Sequence, residues 1–487
     1  MCFLVKPIFV VPAIKKDGKV SFFLTAEEIS AGPEDIDEVL KIFKLSDGSN
    51  DLEQIAKTTK IPINKITEIV SELGKIGIIV DSESKSRSII RDTYDFVNNR
   101  DKMVDIMSEI VGRDKPVKRV CLNLDFKNPS FYSAIAVFCD AYGNAQFAGA
   151  TSTSSLEALF KATVEGYERW RSSQVRVDIH SSSFNLRSPK IEPYQIIPMT
   201  YFQAEKSGVK FYDEKLPIDW TLGNKHDGSK VYVPSDIVYY GHRDGKNRIY
   251  YGNSSGVAAF TDLEEAKKRA LTELIERDAL MCNWFSRKSP NIISHKSLPD
   301  VIKTRISKWK ERGRTLYVLE IPSEYGKVFE AIFVSDQYPC FVSGAAATLD
   351  GGKICETVKK AVDEAEFNLD FAIRYPQQTP KMKQIVFPVE HGRFYYDKKN
   401  AKKLNWLWSG SVVKSISRIE EISLEELYEK LQAVSVDLSD ESSSIKVVRI
   451  ISPELVPINF GYYTSHFLHS KVGDFNPKSI KYPHYFS

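Results

Sequence analysis

One acidic helical pattern, written three times at wide intervals, constrains the fold of this chain more than any other feature. Glu157-Ala158 is followed by Ala162, Glu165, Glu168 and Arg169, and Glu265-Ala266 is followed at the same offsets by Ala270, Glu273, Glu276 and Arg277. A third version runs Glu356, Ala361, Glu364, with Phe367 where a last carboxylate would fall. Successive side chains rotate by about 100° on an α-helix, so each full block stacks its glutamates on one face. Like charges three residues apart repel, at about 0.2–0.5 kcal/mol per pair, unless something positive sits among them. Magnesium, a hard and oxygen-preferring cation, answers that need.

Each block follows a run of small residues: Gly149-Ala150-Thr151, Ser255-Gly256-Val257-Ala258-Ala259 and Ser343-Gly344-Ala345-Ala346-Ala347. A strand ending in small residues and turning into a helix N-terminus lets backbone amides approach phosphates. The set therefore reads as a nucleotide-metal site. A plainer explanation competes for the leading glutamates, because Ser154-x-x-Glu157 and Asp262-x-x-Glu265 both have the form of a capping box. Capping accounts neither for the carboxylate pairs two turns later nor for the arginine beside each pair.

Composition narrows the rest. At 487 residues, 42% hydrophobic and 27% charged, the chain has the make-up of a soluble globular protein with room for two or three domains. A net charge of +3 argues for neither nucleic acid nor an anionic membrane as partner. No apolar run reaches the ~18 residues of a membrane span, and the N-terminus lacks the features of a signal peptide. The six cysteines form no C-x-x-C pair and the histidines have no zinc spacing, which together predict a reducing, cytoplasmic setting. Gly223-x-x-x-x-Gly228-Ser229-Lys230 has the outline of a P-loop, but its lysine does not follow the second glycine directly and no helix signal lies behind it.

Residues 1–82 read as a small winged-helix-like domain. It comprises strands at Pro7–Pro12 and Val20–Leu24, a helix over Pro33–Leu45, a second helix opened by Asn50-x-x-Glu53, a third from Asn64, and a strand at Ile76–Val80. The third helix balances Lys65 and Lys75 against Glu68 and Glu72, a poor surface for phosphate, so capture of an extended peptide is the favoured use. Residues 83–117 are a polar connector. From 118 to 487 strand and helix signals alternate, with strands at Arg119–Phe126, Ala134–Cys139, Val231–Tyr240, Ile249–Tyr251, Leu316–Ile321 and Ala331–Val334. That order predicts an α/β (α+β) core, pseudo-repeated over about 90–110 residues, too long a period for a solenoid.

At Ser154–Arg169, Ser254–Ala279 and Ser343–Glu366 the sequence resembles the YcaO superfamily of ATP-using enzymes that modify peptide backbones. Trp220 ahead of Val233-Pro234, the segment Glu390-His391-x-x-Phe394-Tyr395, Leu455–Gly461 and a proline-containing C-terminus point within it to the azoline-forming cyclodehydratases. The resemblance implies ATP and Mg2+ as cofactors, with Glu165, Glu168, Glu273, Glu276 and Glu364 as metal ligands. Arg169, Ser255, Glu265 and Arg277 would face ATP and its phosphates. It further implies an N-terminal element that clamps a precursor's leader peptide between Glu27, Ile29 and Ala31 on its third strand and Ile66, Ile69 and Leu73 on its third helix. The C-terminal tail would reach the active site, with the Ser487 carboxylate and His484 as candidate bases. A flavin-dependent dehydrogenase partner and a homodimer belong to the same set of expectations. Three departures stand out: Ala148-Gly149-Ala150 in place of Gly-Lys-Gly, Ser255 in place of an asparagine, and an ending of Tyr482-Pro483-His484-Tyr485-Phe486-Ser487 in place of alternating prolines.

The implied reaction is attack by a Cys, Ser or Thr side chain of the substrate on the preceding amide carbonyl. Phosphorylation of the resulting oxyanion and loss of phosphate follow, leaving a thiazoline or oxazoline. Backbone thioamidation or amidine formation shares the ATP site and stays open. So does a non-catalytic scaffold that presents a peptide to a partner enzyme, although such a scaffold gives no reason to keep the carboxylate pairs.

Overall fold

The computed structural model describes residues 7–9, 13–16, 19–23, 28–31, 36–46, 50–75, 79–81, 100–112, 114–122, 132–242, 247–416, 422–464, 470–472 and 481–486. The chain forms two compact units. The first comprises Met1–Gln174, Ala259–Thr261 and Ser439–Lys446; the second comprises Val175–Ala258, Asp262–Leu438 and Val447–Ser487.

In the first unit, β1 (Pro7–Phe9) pairs with β5 (Ile79–Asp81), and β2 (Ala13–Lys16), β3 (Lys19–Phe23) and β4 (Glu28–Ala31) form an antiparallel sheet. Helices α1 (Ile36–Leu45), α2 (Leu52–Thr59) and α3 (Ile63–Lys75) close a small core around Val39, Ile42, Ile55, Ile66 and Val70. The cap of α2 is not the one anticipated. Asp51, rather than Asn50, accepts from the Gln54 amide at 2.8 Å, and Gln54 reciprocates at 2.9 Å. Asn50 instead closes the preceding helix by donating to the Leu45 carbonyl. Ile66 has no exposed surface, so it belongs to the core and is not available to a peptide, while Ile69 and Leu73 are half-buried against the same core. Glu27 and the side chains of Ile29 and Ala31 lie outside the described residues, as does most of the anticipated connector.

The same unit holds α4 (Arg100–Ile110) and an antiparallel meander of β6 (Val117–Leu122), β7 (Tyr132–Cys139) and β8 (Ala145–Ser152), which leads into α5 (Ser155–Ser173). Leu156, Ala158, Leu159, Ala162 and Tyr167 form the buried face of α5. The small side chains among them let the helix lie close to its sheet, which leaves Glu165 and Glu168 on the half-exposed flank.

The second unit repeats that plan. β13 (Asn291–Ile293), β14 (Thr315–Ile321), β15 (Lys327–Val334) and β16 (Phe341–Thr348) form a sheet in the order β16-β15-β14-β13, with a short parallel strand, β17 (Val412–Val413), beyond β13. The chain then enters the acidic helix Ile354–Arg374, the last of three labelled helices: α6 (Leu263–Ser286), α7 (Asp300–Glu311) and α8 (Ile354–Arg374). A second sheet carries β9 (Ile179–Ser182), β10 (Pro217–Asn224), β11 (Lys230–Pro234), β18 (Val434–Asp437), β19 (Lys446–Ile451) and, at its edge, β12 (Val257–Phe260), from which α6 departs. The first and third copies of the pseudo-repeat are therefore meanders of antiparallel strands with an acidic helix laid over them, while the second helix leaves the edge strand β12, and the α+β description is the apt one.

Several strand boundaries differ from expectation. Ser235–Val238 is a helical turn in place of the end of a strand, because the Asp236 carboxylate turns back to accept from the Ile249 amide at 2.8 Å. Ile249–Tyr251 is irregular for the same reason. β8 and β16 run through two of the small-residue segments read as strand ends, and each is a full strand of eight residues although alanine and glycine carry little strand propensity. The P-loop look-alike is a hairpin: Gly223 lies on β10 and Lys225 donates to the Ser229 carbonyl at the turn.

A carboxylate cluster on the edge of a sheet

β16 is the edge strand of its sheet, and an edge strand has backbone amides with no neighbouring strand to receive them. Here the neighbouring helices receive them. Glu364 of α8 accepts from the Ala345 amide at 2.9 Å, the Ala347 amide lies near enough to Glu276 of α6 to favour its ionised form, and Asn368 donates to the Ser343 carbonyl at 2.9 Å. Glu273, one turn before Glu276, accepts from the Gly256 amide at 3.1 Å. Two of the small-residue runs thus supply amides to carboxylates rather than presenting them to a phosphate.

Their small size has a steric cause. A Cβ on Gly344 would lie 2.3 Å from the Ala365 nitrogen and 2.7 Å from the Ala361 carbonyl oxygen, so α8 rests directly on the strand. Gly256 has a φ of +77°, and a Cβ there would strike the Ile450 carbonyl and Leu274. Arg277 lies 3.8 Å from Glu273 and 3.7 Å from Glu276, close enough to offset charge but too long for hydrogen bonds.

Burial first, then the nearby Glu364 and Glu273, push the Glu276 carboxyl up to about 8, against the pull of Arg277 and the Ala347 amide. Such a group is protonated in the folded state and ionised in the unfolded chain over the window from 4.5 to about 8, so stability falls as pH rises through it. We expect the melting temperature in EDTA to drop between pH 6 and pH 9 and magnesium to restore it at the alkaline end. A melting temperature indifferent to both would contradict the cluster's electrostatics.

The donor set is all oxygen, which suits a hard cation. Among the described residues no three His, Cys, Asp or Glu groups stand at metal-binding distance, so holding an ion requires these side chains to draw together. The leading glutamates have other duties. Glu265 pairs with Arg269 at 2.9 Å, and Glu157 with Ser152 at 2.5 Å and Lys161 at 2.7 Å. Ser154 and Asp262 do accept from the Glu157 and Glu265 amides, so each capping box is half formed. On α5, Glu165 and Arg169 form an i,i+4 pair at 3.4 Å, with Glu168 half-exposed beside them. The Ser255 amide donates to Asn253, whose side-chain amide reaches the Ile458 carbonyl and whose own carbonyl accepts from Arg449 at 2.6 Å. Asn253 and Arg449 as braces of this turn were not anticipated from the sequence.

The flanking segments converge on the C-terminal tail. His391, on α9 (Pro388–Phe394), accepts from the Gly461 amide at Nε2, so its Nδ1 carries the proton and donates to the His484 carbonyl at 3.0 Å. Tyr395 donates to the Pro483 carbonyl at 2.5 Å, and His484 donates through Nε2 to the Asn459 carbonyl at 2.8 Å. The His391 and His484 rings stack at 4.1 Å and neither is exposed. Buried and bonded in this way, His484 pins the tail. Ser487 lies outside the described residues.

Comparison with known proteins places this architecture. The sequence model of the ATP- and Mg2+-binding YcaO cyclodehydratases matches residues 149–456, which include all three acidic helices. The chain belongs to the YcaO family. ATP and Mg2+ are the cofactors of that family. No characterised protein matches the chain in overall sequence. Among solved structures, a heterocyclase in complex with substrate and cofactor superposes with a TM-score of 0.62 at 16% identity, over 77% of this chain and 56% of that one. The chain thus spans little more than half of that protein's length. A YcaO protein from Methanopyrus kandleri, bound with AMPPCP and Mg2+, gives 0.53 at 19% identity over 74% of this chain and 90% of that one. The E. coli microcin synthetase McbBCD complex gives 0.53 at 12% identity over 73% and 93%. These likenesses establish a YcaO fold. No helix among the described residues is long and apolar enough to cross a membrane.

Proposed function

We propose that the protein is an ATP- and Mg2+-dependent cyclodehydratase that converts Cys, Ser or Thr residues of a ribosomally made precursor peptide into thiazolines or oxazolines. The observation that carries this is the Glu273, Glu276 and Glu364 cluster, built on backbone amides within a YcaO fold. Bound there, magnesium would neutralise phosphate charge as the phosphoryl group moves. The chain's own part is to fix the three carboxylates, to set Arg277 beside them, and to keep the tail docked. Glu165, Glu168 and Arg169 are assigned to cation and phosphate by the family pattern, and Ser255 and Glu265 to the nucleotide on the same ground.

On the substrate, a bond forms between the side-chain sulfur or oxygen and the carbonyl carbon as the thiol or hydroxyl proton leaves, and the carbonyl oxygen takes the γ-phosphoryl of ATP. The C–O bond then breaks with loss of phosphate, and the amide proton leaves as the C=N bond forms. The net change is one water per ring and one ATP converted to ADP and phosphate. A Cys-, Ser- and Thr-containing peptide incubated with protein, ATP and magnesium is expected to lose the mass of one water per ring. Replacement of oxygen by sulfur would instead mark thioamidation, and unchanged mass without ADP would defeat the enzymatic reading.

Solved relatives include the McbBCD complex with pro-MccB17 bound, which supports a precursor peptide as partner here. We assign its leader to residues 1–82, at β4 and the exposed side of α3. Deleting these residues should raise the KM for a leader-bearing peptide about tenfold or more while leaving the KM for ATP unchanged. Equal turnover with and without them, or tight binding of duplex DNA by the segment, would contradict the assignment.

A further inference from the structure

β15 is buried along nearly its whole length, and between its ends it carries one charged side chain, Glu330. Glu330 has no exposed surface, and its Oε2 accepts from the Tyr485 hydroxyl at 2.8 Å. Tyr485 is itself 2% exposed, set edge-on to Trp284 at 5.8 Å and to Phe341 at 5.2 Å. A carboxyl and a phenol so enclosed are costly to bury unless they satisfy each other, and an aromatic core offers few other partners. Hydrogen bonds from Tyr395 and His391 hold the Pro483 and His484 carbonyls, and His484 reaches the Asn459 carbonyl. The Glu330–Tyr485 bond adds a tie from the tail to β15.

That depth bears on the carboxylate cluster. Glu330 stands directly opposite Ala345 in the β15–β16 register, and the Ala345 amide is the one that holds Glu364. From the tail to a proposed cation ligand the path is one hydrogen bond, one cross-strand pair and one further hydrogen bond. Burial and the carboxylates Glu364 and Glu276 act to keep the Glu330 proton on, and the hydrogen bond from Tyr485 acts against them.

We propose that Glu330 is a positioning residue: through Tyr485 it latches the segment Tyr482–Phe486 at one depth against β15 and β16, and so holds Glu364 in place for the reaction. This rests on the cyclodehydratase reading for its kinetic consequence and on the geometry alone for the latch. Tyr485→Phe removes the bond with little change of shape. Glu330→Leu removes the acceptor, and Glu330→Gln keeps an acceptor oxygen. Ring formation should fall about tenfold or more in kcat for Tyr485→Phe and Glu330→Leu, with the KM for ATP unchanged, and stay within about threefold for Glu330→Gln. Amide hydrogen exchange at residues 481–486 should quicken in the first two variants and not in the third. Wild-type exchange in Tyr485→Phe, or a Glu330→Gln as impaired as Glu330→Leu, would overturn the latch. If the wild-type protein forms no ring, the proposed reaction fails, and the exchange measurement still decides the latch.

Discussion

Replacing Glu276 with glutamine is expected to lower ADP production about 100-fold or more while leaving the protein folded. Glutamine keeps the length of the side chain and an oxygen for the Ala347 amide, so the cluster loses a charge and little shape. The wild-type carboxyl, raised to about 8 by burial and by its acidic neighbours, resists ionisation. The amide has no such conflict. In EDTA above pH 8 the variant should therefore melt higher than the wild type, and magnesium should shift the wild type alone. Glu273→Gln should lose ADP production similarly. Glu157→Gln should stay within about threefold, since Glu157 is engaged by Ser152 and Lys161. Full ADP production by Glu276→Gln would remove the cation assignment.

The second large effect is steric. Gly344→Ala adds a Cβ 2.3 Å from the backbone nitrogen of Ala365, and neither a helix nor a strand held on both sides yields cheaply. Overpacking of this kind costs about 1–3 kcal/mol and here should reach the upper end. In a unit this large that is a fall of up to about 5 °C in melting temperature. Activity should fall further than stability, because separating β16 from α8 draws the Ala345 amide away from Glu364. Gly351→Ala, with nothing within 4 Å of the added carbon, is the matched control. Equal melting temperatures for the two would show that α8 can slide.

The acidic helices were legible because helical periodicity leaves little choice about which side chains share a face, and Glu273, Glu276 and Glu364 do gather in one cluster. Docking of the tail was legible too, from aromatic and proline residues that solvent does not favour. Other features were hidden for definite reasons. β8 and β16 are rich in alanine and glycine because a helix must lie against them, and that composition disguises the extent of a strand. The same residues, taken as a cradle for phosphate, direct their amides at glutamates, a choice set by which strand lies at the sheet edge. Half-formed capping boxes follow from other neighbours such as Ser152 and Arg269, four or five residues away, which outcompete the N-cap amide. Glu330 carried a signal that went unread, a lone acid inside Val328-Phe329-Glu330-Ala331-Ile332, a run otherwise fit only for a core.

The commitment of the β16 edge and of the Gly256 turn to side chains bears on coordination. Glu273 and Glu364 each accept from a backbone amide through one carboxylate oxygen, and a carboxylate anchored in that way offers an ion one oxygen more readily than two. Magnesium demands six ligands in near-octahedral array and gives up water reluctantly. On the proposed assignment, one oxygen from each of Glu273, Glu276 and Glu364 would fill half the sphere. The remainder would fall to water and to phosphate oxygens, so on that assignment a nucleotide completes the coordination of an ion that the protein holds by only one side.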